Sequence, residues 1–374
     1  MSRGHNDQSS RSVAIFIPTL AIGGAEKIAV ILANTFADRG HDVSLLVGIA
    51  DGPIRAEVGP RVSIVDLGQR RVSRCIIPLS RWLRQRQPTV LLSLMKHANI
   101  AALAASHVSR SPHRLVVSER TFTSVSVASE RPLRRLLLGV GIRWGYRYAD
   151  AVVTVCADAA SDLEGTYGLS RSRLHVIHNP VDVEVIRRRA EAEPGKWWPT
   201  DSRPTVLSVA RLAPPKDYAT LVDAFASLRR ETDARLVIIG DGILRPVVEE
   251  RVRSLGLEGS VVMPGYATNP YSAMKRADCF VLSSRWEGFP NVLVEAAALG
   301  VPIVATDCRG GPREILEGIE GAHLVPVGDI QAMSAAIQRA IRTIRPVMTL
   351  MRRAEEFSVV KAVSEFEGVL GLSS

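Results

Sequence analysis

Glu287 and Glu295 close the two ends of the run Glu-Gly-Phe-Pro-Asn-Val-Leu-Val-Glu. This places two carboxylates eight residues apart around a proline that can open a helix. Eight residues at helical period return to nearly the same face, so the two acids are expected to point one way. Carboxylates accept hydrogen bonds from hydroxyls, and the free N–H groups of a new helix N-terminus attract an anion. A nucleotide sugar presents both chemistries. Two glutamates on one helical face are also a common solvated pattern, so the neighbouring residues must carry the argument.

Arg211 and Lys216 stand in the run Arg-Leu-Ala-Pro-Pro-Lys, a loop stiffened by two prolines. A guanidinium fork and a compact ammonium can clamp a diphosphate and offset the charge that builds on a departing nucleotide. Of 47 basic residues only six are lysine, which makes a lysine here the more notable. The structural alternative is a basic loop that ends with Asp217 capping the next helix.

Gly23-Gly24, Gly240-Asp241-Gly242 and Pro264-Gly265-Tyr266 each follow a strand-like run. Gly23 and Gly24 would let backbone approach a phosphate, and the turns at Gly240, Gly242 and Tyr266 could expose backbone to a nucleobase. Each turn taken singly is equally a tight structural turn. The Gly23-Gly24 pair lacks the three-glycine dinucleotide fingerprint, and no Gly-rich Lys-Ser/Thr loop argues for a P-loop NTPase. His97 follows an expected strand and could hydrogen-bond a sugar hydroxyl, or cap and pack. Glu119 and Arg120 follow another, as acceptor-side candidates or as a pair with each other.

The elements that position these groups are readable as apolar runs. Buried strands are expected at 13–18, 43–47, 62–66, 90–94, 115–118, 151–155 and 175–177, then at 205–209, 236–239, 261–263, 279–282, 303–305 and 323–325. Helical patterns lie between most of them, and such alternation implies mostly parallel sheets. Pro194, Gly195, Pro199 and Pro204 interrupt the series, so residues 187–203 read as a linker. The expected organisation is a disordered tail over 1–11, a first domain over 12–186, and a second over 204–374, with the last helix able to return to the first domain. Both are α/β, doubly wound and Rossmann-like, facing an interdomain cleft in which ligands sit beyond the strands' carboxyl ends.

A chain of 374 residues exceeds what one core usually serves. Its four cysteines have no paired spacing, so neither a zinc site nor a disulfide framework is expected, and a cytoplasmic location follows. No apolar run approaches the ~20 residues that span a bilayer. Residues 1–190 hold 26 Lys/Arg against 15 Asp/Glu, a balance of +11, while 191–374 hold 21 against 23, a balance of −2. The first half therefore favours an anionic partner, although an arginine-rich coding bias would look the same. Within it, residues 130–150 carry Arg131, Arg134, Arg135, Arg143 and Arg147, with Leu133, Leu137, Val140 and Trp144 at helical spacing. A basic amphipathic helix could dock on an anionic membrane's inner face or turn its stripe into the core.

Together these features resemble the retaining glycosyltransferases of family 4, of the bacterial surface-glycan or lipid-linked-glycan type, which have the GT-B fold. The resemblance covers nearly the whole chain. It is carried by Glu287 to Glu295, the Arg211 to Lys216 loop, Gly-Gly-Ala-Glu at 23–26, Val-Ile-His-Asn-Pro-Val-Asp at 176–182 and Ser118-Glu119-Arg120. It implies that Arg211 and Lys216 hold the donor diphosphate, Glu295 the ribose hydroxyls and Glu287 the transferred sugar. Gly24, Asn291 and Val292 would offer backbone amides, and His97 would hydrogen-bond the sugar. It further implies a nucleoside-diphosphate sugar as donor, a UDP-sugar by preference, a saccharide or lipid-linked saccharide as acceptor, and no metal or other cofactor. Thr121 departs from the Asn common in related bacterial enzymes, which bears on acceptor and sugar specificity. The rival readings are a nucleotide-sugar epimerase on the same fold and a noncatalytic binder of nucleotide sugar or nucleic acid, although no nucleic-acid module is recognisable.

Overall fold

The computed structural model describes residues 10–21, 23–128 and 130–372. Residues 1–9 of the expected tail and Ile22 of the first glycine turn lie outside the described residues. The chain divides after Pro180 and after Ser358 into two compact units.

The first unit is built on β1 (Ser12–Thr19), β2 (Asp42–Ile49), β3 (Val62–Asp66), β4 (Val90–Leu94), β5 (Arg114–Glu119), β6 (Ala151–Thr154) and β7 (Leu174–Val176). They form one sheet in the order β3-β2-β1-β4-β5-β6-β7, and every pairing is parallel. The second unit holds β8 (Thr205–Val209), β9 (Arg235–Ile239), β10 (Val261–Gly265), β11 (Cys279–Leu282), β12 (Ile303–Thr306) and β13 (Ala322–Val325), in the order β10-β9-β8-β11-β12-β13. These pairings are parallel too. Each sheet is thus α/β and doubly wound, with the strand order reversing between β1 and β4 and again between β8 and β11.

Apolar runs make these strands because helices cover both faces of a parallel sheet. Along β1, Val13, Ile15 and Ile17 join one core cluster while Ala14 and Phe16 join the other, as period-two alternation requires. Phe36 and Phe366 share the first of these clusters. Phe366 comes from the helix Val359–Leu370, so the last helix packs in the first unit, tied there by Arg39 to Glu367 and by Arg114 Nε donating to Val369 O at 2.8 Å.

Two expected boundaries are corrected. The proposed linker over 187–203 begins inside a helix, Val183–Ala190, capped by the Asp182 carboxylate accepting from Val185 N at 2.9 Å. Val183, Ile186 and Ala190 bury one stripe of it. Arg187 donates to Ala298 O at 3.1 Å and pairs with Glu355 at 2.6 Å, which joins the helix to the second unit. The change of unit falls at Pro180, where Val181 bridges Ser358. The later prolines marked a real irregularity, but the amphipathic stripe ahead of them decided membership.

The single helix expected over 130–150 is three pieces: an α-helix Pro132–Val140, a π-helical turn Gly141–Gly145 and a 3-10 turn Tyr146–Tyr148. Leu138, Ile142 and Tyr146 face the core, so Leu133, Leu137, Val140 and Trp144 are left exposed. Gly141 and Gly145 lie on the packed side of this segment, facing Ile100 and Leu103. A side chain at Gly141 would approach Ile100 to 3.2 Å, so the glycine lets this segment close on the helix Lys96–Ser109.

Candidate functional site

In the second unit, β8 and β11 are neighbours, so the loops leaving their carboxyl ends start side by side at the strand-order reversal. The β8 loop carries Arg211 to Asp217, and the β11 loop carries Ser283 to Glu287. Lys216 Nζ lies 2.5 Å from Glu287 Oε1, and Ser284 Oγ donates to the same oxygen at 2.5 Å. Ser283 Oγ donates to Lys216 O at 2.7 Å, Arg285 N to Pro215 O at 2.8 Å, and Arg285 Nε meets Asp217 Oδ2 at 3.0 Å. The two loops are therefore fixed to each other by backbone and side chain alike. Both charged ends stay within reach of solvent, Lys216 at 22% and Glu287 at 11% side-chain exposure. Arg211 is exposed and makes no ion pair or hydrogen bond through its side chain among the described residues.

Asp217 does not cap the following helix Tyr218–Leu228 with its side chain, as the structural alternative required. Its backbone is left-handed at φ 44°, and its carboxylate instead accepts from Thr220 Oγ1 at 2.9 Å and from Arg285. Gly240 and Gly242 also act structurally. A Cβ at Gly240 would lie 2.0 Å from Ala210 O and one at Gly242 would lie 2.3 Å from Leu212 O, so these glycines let the β9 loop clasp the cation loop. Leu212 N donates to Asp241 O at 2.9 Å across that contact. Tyr266, next to Gly265, is an exposed aromatic at the end of β10.

The shared helical face expected of Glu287 and Glu295 is not formed. The helix runs Asn291–Ala298 with Pro290 in the cap position, so Glu287 lies ahead of it on the irregular chain. Glu287 Oε1 is held by Lys216 and Ser284, while Glu295 hydrogen-bonds Tyr271. Burial, then the Glu295 charge, pushes the Tyr271 hydroxyl up, which keeps it a neutral donor. Asn291 and Val292 stand in the first turn, where backbone N–H groups have no acceptor within their own helix. Burial and the Glu287 charge raise the nearby Cys308 thiol to about 12, so it stays protonated.

The first unit places its candidates differently. Gly23 precedes and Gly24 opens the helix Gly24–Asp38, but the Glu26 carboxylate folds back to where a Cβ of Gly23 would be, with Oε2 at 2.1 Å. His97 is the second residue of the helix Lys96–Ser109, with Arg134 at 3.2 Å and Glu130 at 3.5 Å from Nε2. Burial and the charges of Lys96 and Arg134 lower its pKa, so a neutral imidazole is favoured. Lys96 donates to Ser126 Oγ at 2.8 Å.

Glu119 is fully buried and cannot touch an acceptor, which corrects its expected role. It accepts from Tyr146 OH and, at 3.2 Å, from Asn99 Nδ2, and burial raises its pKa. Arg120 does not pair with it. The guanidinium meets Asn179 Oδ1 and, at 3.3 Å, Ser118 Oγ, and its buried Nε has no partner. Of the arginines proposed for a membrane, Arg131, Arg134, Arg135, Arg143 and Arg147 are all exposed. Arg147 stacks over Trp144 at 4.9 Å. Among the described residues no helix is long and apolar enough to cross a membrane.

Residues 22–185 match the family model described as Glycosyltransferase Family 4, and residues 190–352 match that of Glycosyl transferases group 1. The chain belongs to the family 4-like glycosyltransferases. The chain is 31% identical over 220 residues to the N-acetylgalactosamine-N,N'-diacetylbacillosaminyl-diphospho-undecaprenol 4-alpha-N-acetylgalactosaminyltransferase of Campylobacter jejuni, covering 59% of this chain and 58% of that one. An uncharacterized glycosyltransferase of Methanocaldococcus jannaschii is 28% identical over 177 residues, 46% and 44% of the two chains. The match thus spans about half the length of these two relatives. The N-acetyl-alpha-D-glucosaminyl L-malate synthase of Bacillus anthracis is 25% identical over 369 residues, 93% of this chain and 94% of that one. Anabaena HepE, solved with UDP and glucose, superposes with a TM-score of 0.78 at 19% identity, over 96% of this chain and 99% of that one. With the two doubly wound sheets, that likeness establishes the GT-B fold.

Sequence reasoning missed several parts of this candidate site. Ser283 and Ser284 are two small polar residues directly after β11, a signal that was readable. Tyr271 and Gly310 carried none, because their partners lie 24 and 23 residues away in sequence, Glu295 and Glu287.

Proposed function

We propose that the chain moves a sugar from a nucleoside-diphosphate sugar to a saccharide acceptor with retention of configuration. The observation that carries this is the Lys216–Glu287 contact at 2.5 Å, which puts a cation and a hydroxyl-binding carboxylate together at the strand-order reversal. In this reading Arg211 and Lys216 take the donor diphosphate and Glu287 turns to the sugar's hydroxyls. Glu295, with Tyr271, takes the ribose, and Asn291 and Val292 supply backbone amides. HepE, whose fold is shared, binds UDP and glucose, which favours a UDP-sugar here.

The chemistry needs no protein nucleophile. As the bond from the anomeric carbon to the diphosphate breaks, the acceptor hydroxyl oxygen bonds to that carbon on the same face. The leaving phosphate oxygen receives the hydroxyl's proton, and the loop cations stabilise its charge. The Campylobacter jejuni relative, named for a diphospho-undecaprenol saccharide, favours a lipid-linked acceptor in glycan assembly. The exposed Arg131, Arg135, Arg143, Arg147 and Trp144 would then meet an anionic membrane surface.

Titration calorimetry over UDP-, GDP- and ADP-sugars is expected to find one preferred donor, and product anomer analysis is expected to show retention. Absence of binding by all three would remove the reading. Conversion of donor without acceptor would instead reveal an epimerase. Because Arg211 and Lys216 themselves bring positive charge to the diphosphate, transfer is expected to persist in EDTA. Complete loss restored by magnesium would contradict it.

A further inference from the structure

The first unit contains a pocket of about 640 Å3 that the donor-binding roles above do not use. Arg70, Arg71 and Arg134 line it together with His97, and Ile100 and Leu137 supply apolar wall. Arg70 and Arg71 are exposed and make no ion pair among the described residues. Arg134 meets Glu130 at 3.2 Å, and the same carboxylate lies 3.5 Å from His97, so Glu130 offsets part of the charge. Two guanidinium forks remain uncompensated. The apolar wall continues outside the pocket on the helix Pro132–Val140, where Leu133 is 72% exposed, Leu136 63%, Leu137 63% and Val140 50%.

Neither half of this surface is explained by a neutral saccharide. Clustered arginines suit a polyphosphate, which they can grip bidentately, while a row of exposed leucines marks a surface that some apolar partner covers. A flat lipid surface would need no pocket, and a free phosphate would need no leucines. One molecule satisfies both, a diphosphate esterified to an apolar chain.

We propose that this pocket is the acceptor's anchoring site: Arg70, Arg71 and Arg134 bind the diphosphate of a prenyl-diphosphate-linked saccharide, and the leucine face takes the start of its chain. The proposal rests on the transferase reading above and names the part of the acceptor that the first unit recognises. His97 shares the lining, so the saccharide end would begin beside it.

Calorimetry on the full chain with farnesyl diphosphate, inorganic diphosphate and farnesol tests it. Farnesyl diphosphate is expected to bind at least about 10-fold more tightly than either other probe, since it engages both the arginines and the leucines. Arg70→Ala with Arg71→Ala is expected to weaken it by about 10-fold or more, while UDP affinity and thermal stability stay as in the parent chain, both residues being exposed. Equal binding of farnesol and farnesyl diphosphate would mean a general apolar contact and overturn the proposal. So would equal binding of inorganic diphosphate, or full affinity in the double variant. Failure of the transferase reading shows separately, as absent nucleotide-sugar binding in the donor titrations.

Discussion

Lys216→Ala is expected to lower turnover by about 100- to 1,000-fold, the range lost when one preorganised donor to a developing oxyanion is removed. The ammonium already sits 2.5 Å from Glu287, on a loop fixed by Pro214, Pro215 and the Ser283 contact, so it costs little reorganisation when charge appears on the leaving phosphate. Its loss leaves Glu287 with the Ser284 hydroxyl and partial solvent contact, so the carboxylate is not stranded. Stability should therefore change little, as for other partly exposed pairs. Lys216→Arg should recover part of the rate by restoring charge, and Arg211→Ala should impair transfer in the same sense. Steady-state kinetics with thermal melts make the comparison. A donor KM that rises while kcat holds would mean that Lys216 binds ground state and transition state alike, and the assignment to leaving-group stabilisation would fail.

Gly310→Ala should have the second large effect, although Gly310 carries no chemistry. Its backbone stands at φ +124°, and a Cβ there would lie 2.0 Å from Glu287 O and 3.1 Å from Gly288 O. Neither obstacle is a flexible side-chain tip. The chain must shift, against the bonds from Glu287 N to Arg309 O at 3.1 Å and from Gly311 N to Gly288 O at 2.9 Å. Strain of this kind costs about 1–3 kcal/mol, worth about 2–4 °C of melting temperature per kcal/mol in a unit this size. Because the displaced atoms belong to Glu287, turnover should fall by about 100-fold, the effect of misplacing a site by about 1 Å. Gly165→Ala is the matched control, since nothing lies within 4 Å of the added carbon and the position is helical. Turnover and melting temperature both at parent values in Gly310→Ala would show that the Glu287 position is not set by this contact.

Strand positions and the alternation of strand and helix were legible from the chain alone, because parallel strands covered on both faces must be apolar runs. The cation loop and the Glu287 to Glu295 run were legible for a different reason: proline, glycine and charge cluster locally where a loop leaves a strand. Sequence could also give the basic character of residues 130–150. Which side of that segment faces the core depended on its packing, with Leu138, Ile142 and Tyr146 buried and Gly141 set against Ile100, 41 positions away. Likewise the separation of Glu287 from Glu295 followed from Pro290 starting the helix only after Glu287, which broke the period that would have aligned them. The burial of Glu119, which ends β5, and the pairing of Arg120, just past that strand, with Asn179 were decided by tertiary structure, since Tyr146 and Asn179 lie 27 and 59 residues further along the chain. Local chemistry therefore lies in the sequence, whereas which charged groups meet depends on the crossing of loops from neighbouring strands, as Lys216 and Glu287 do across 71 residues.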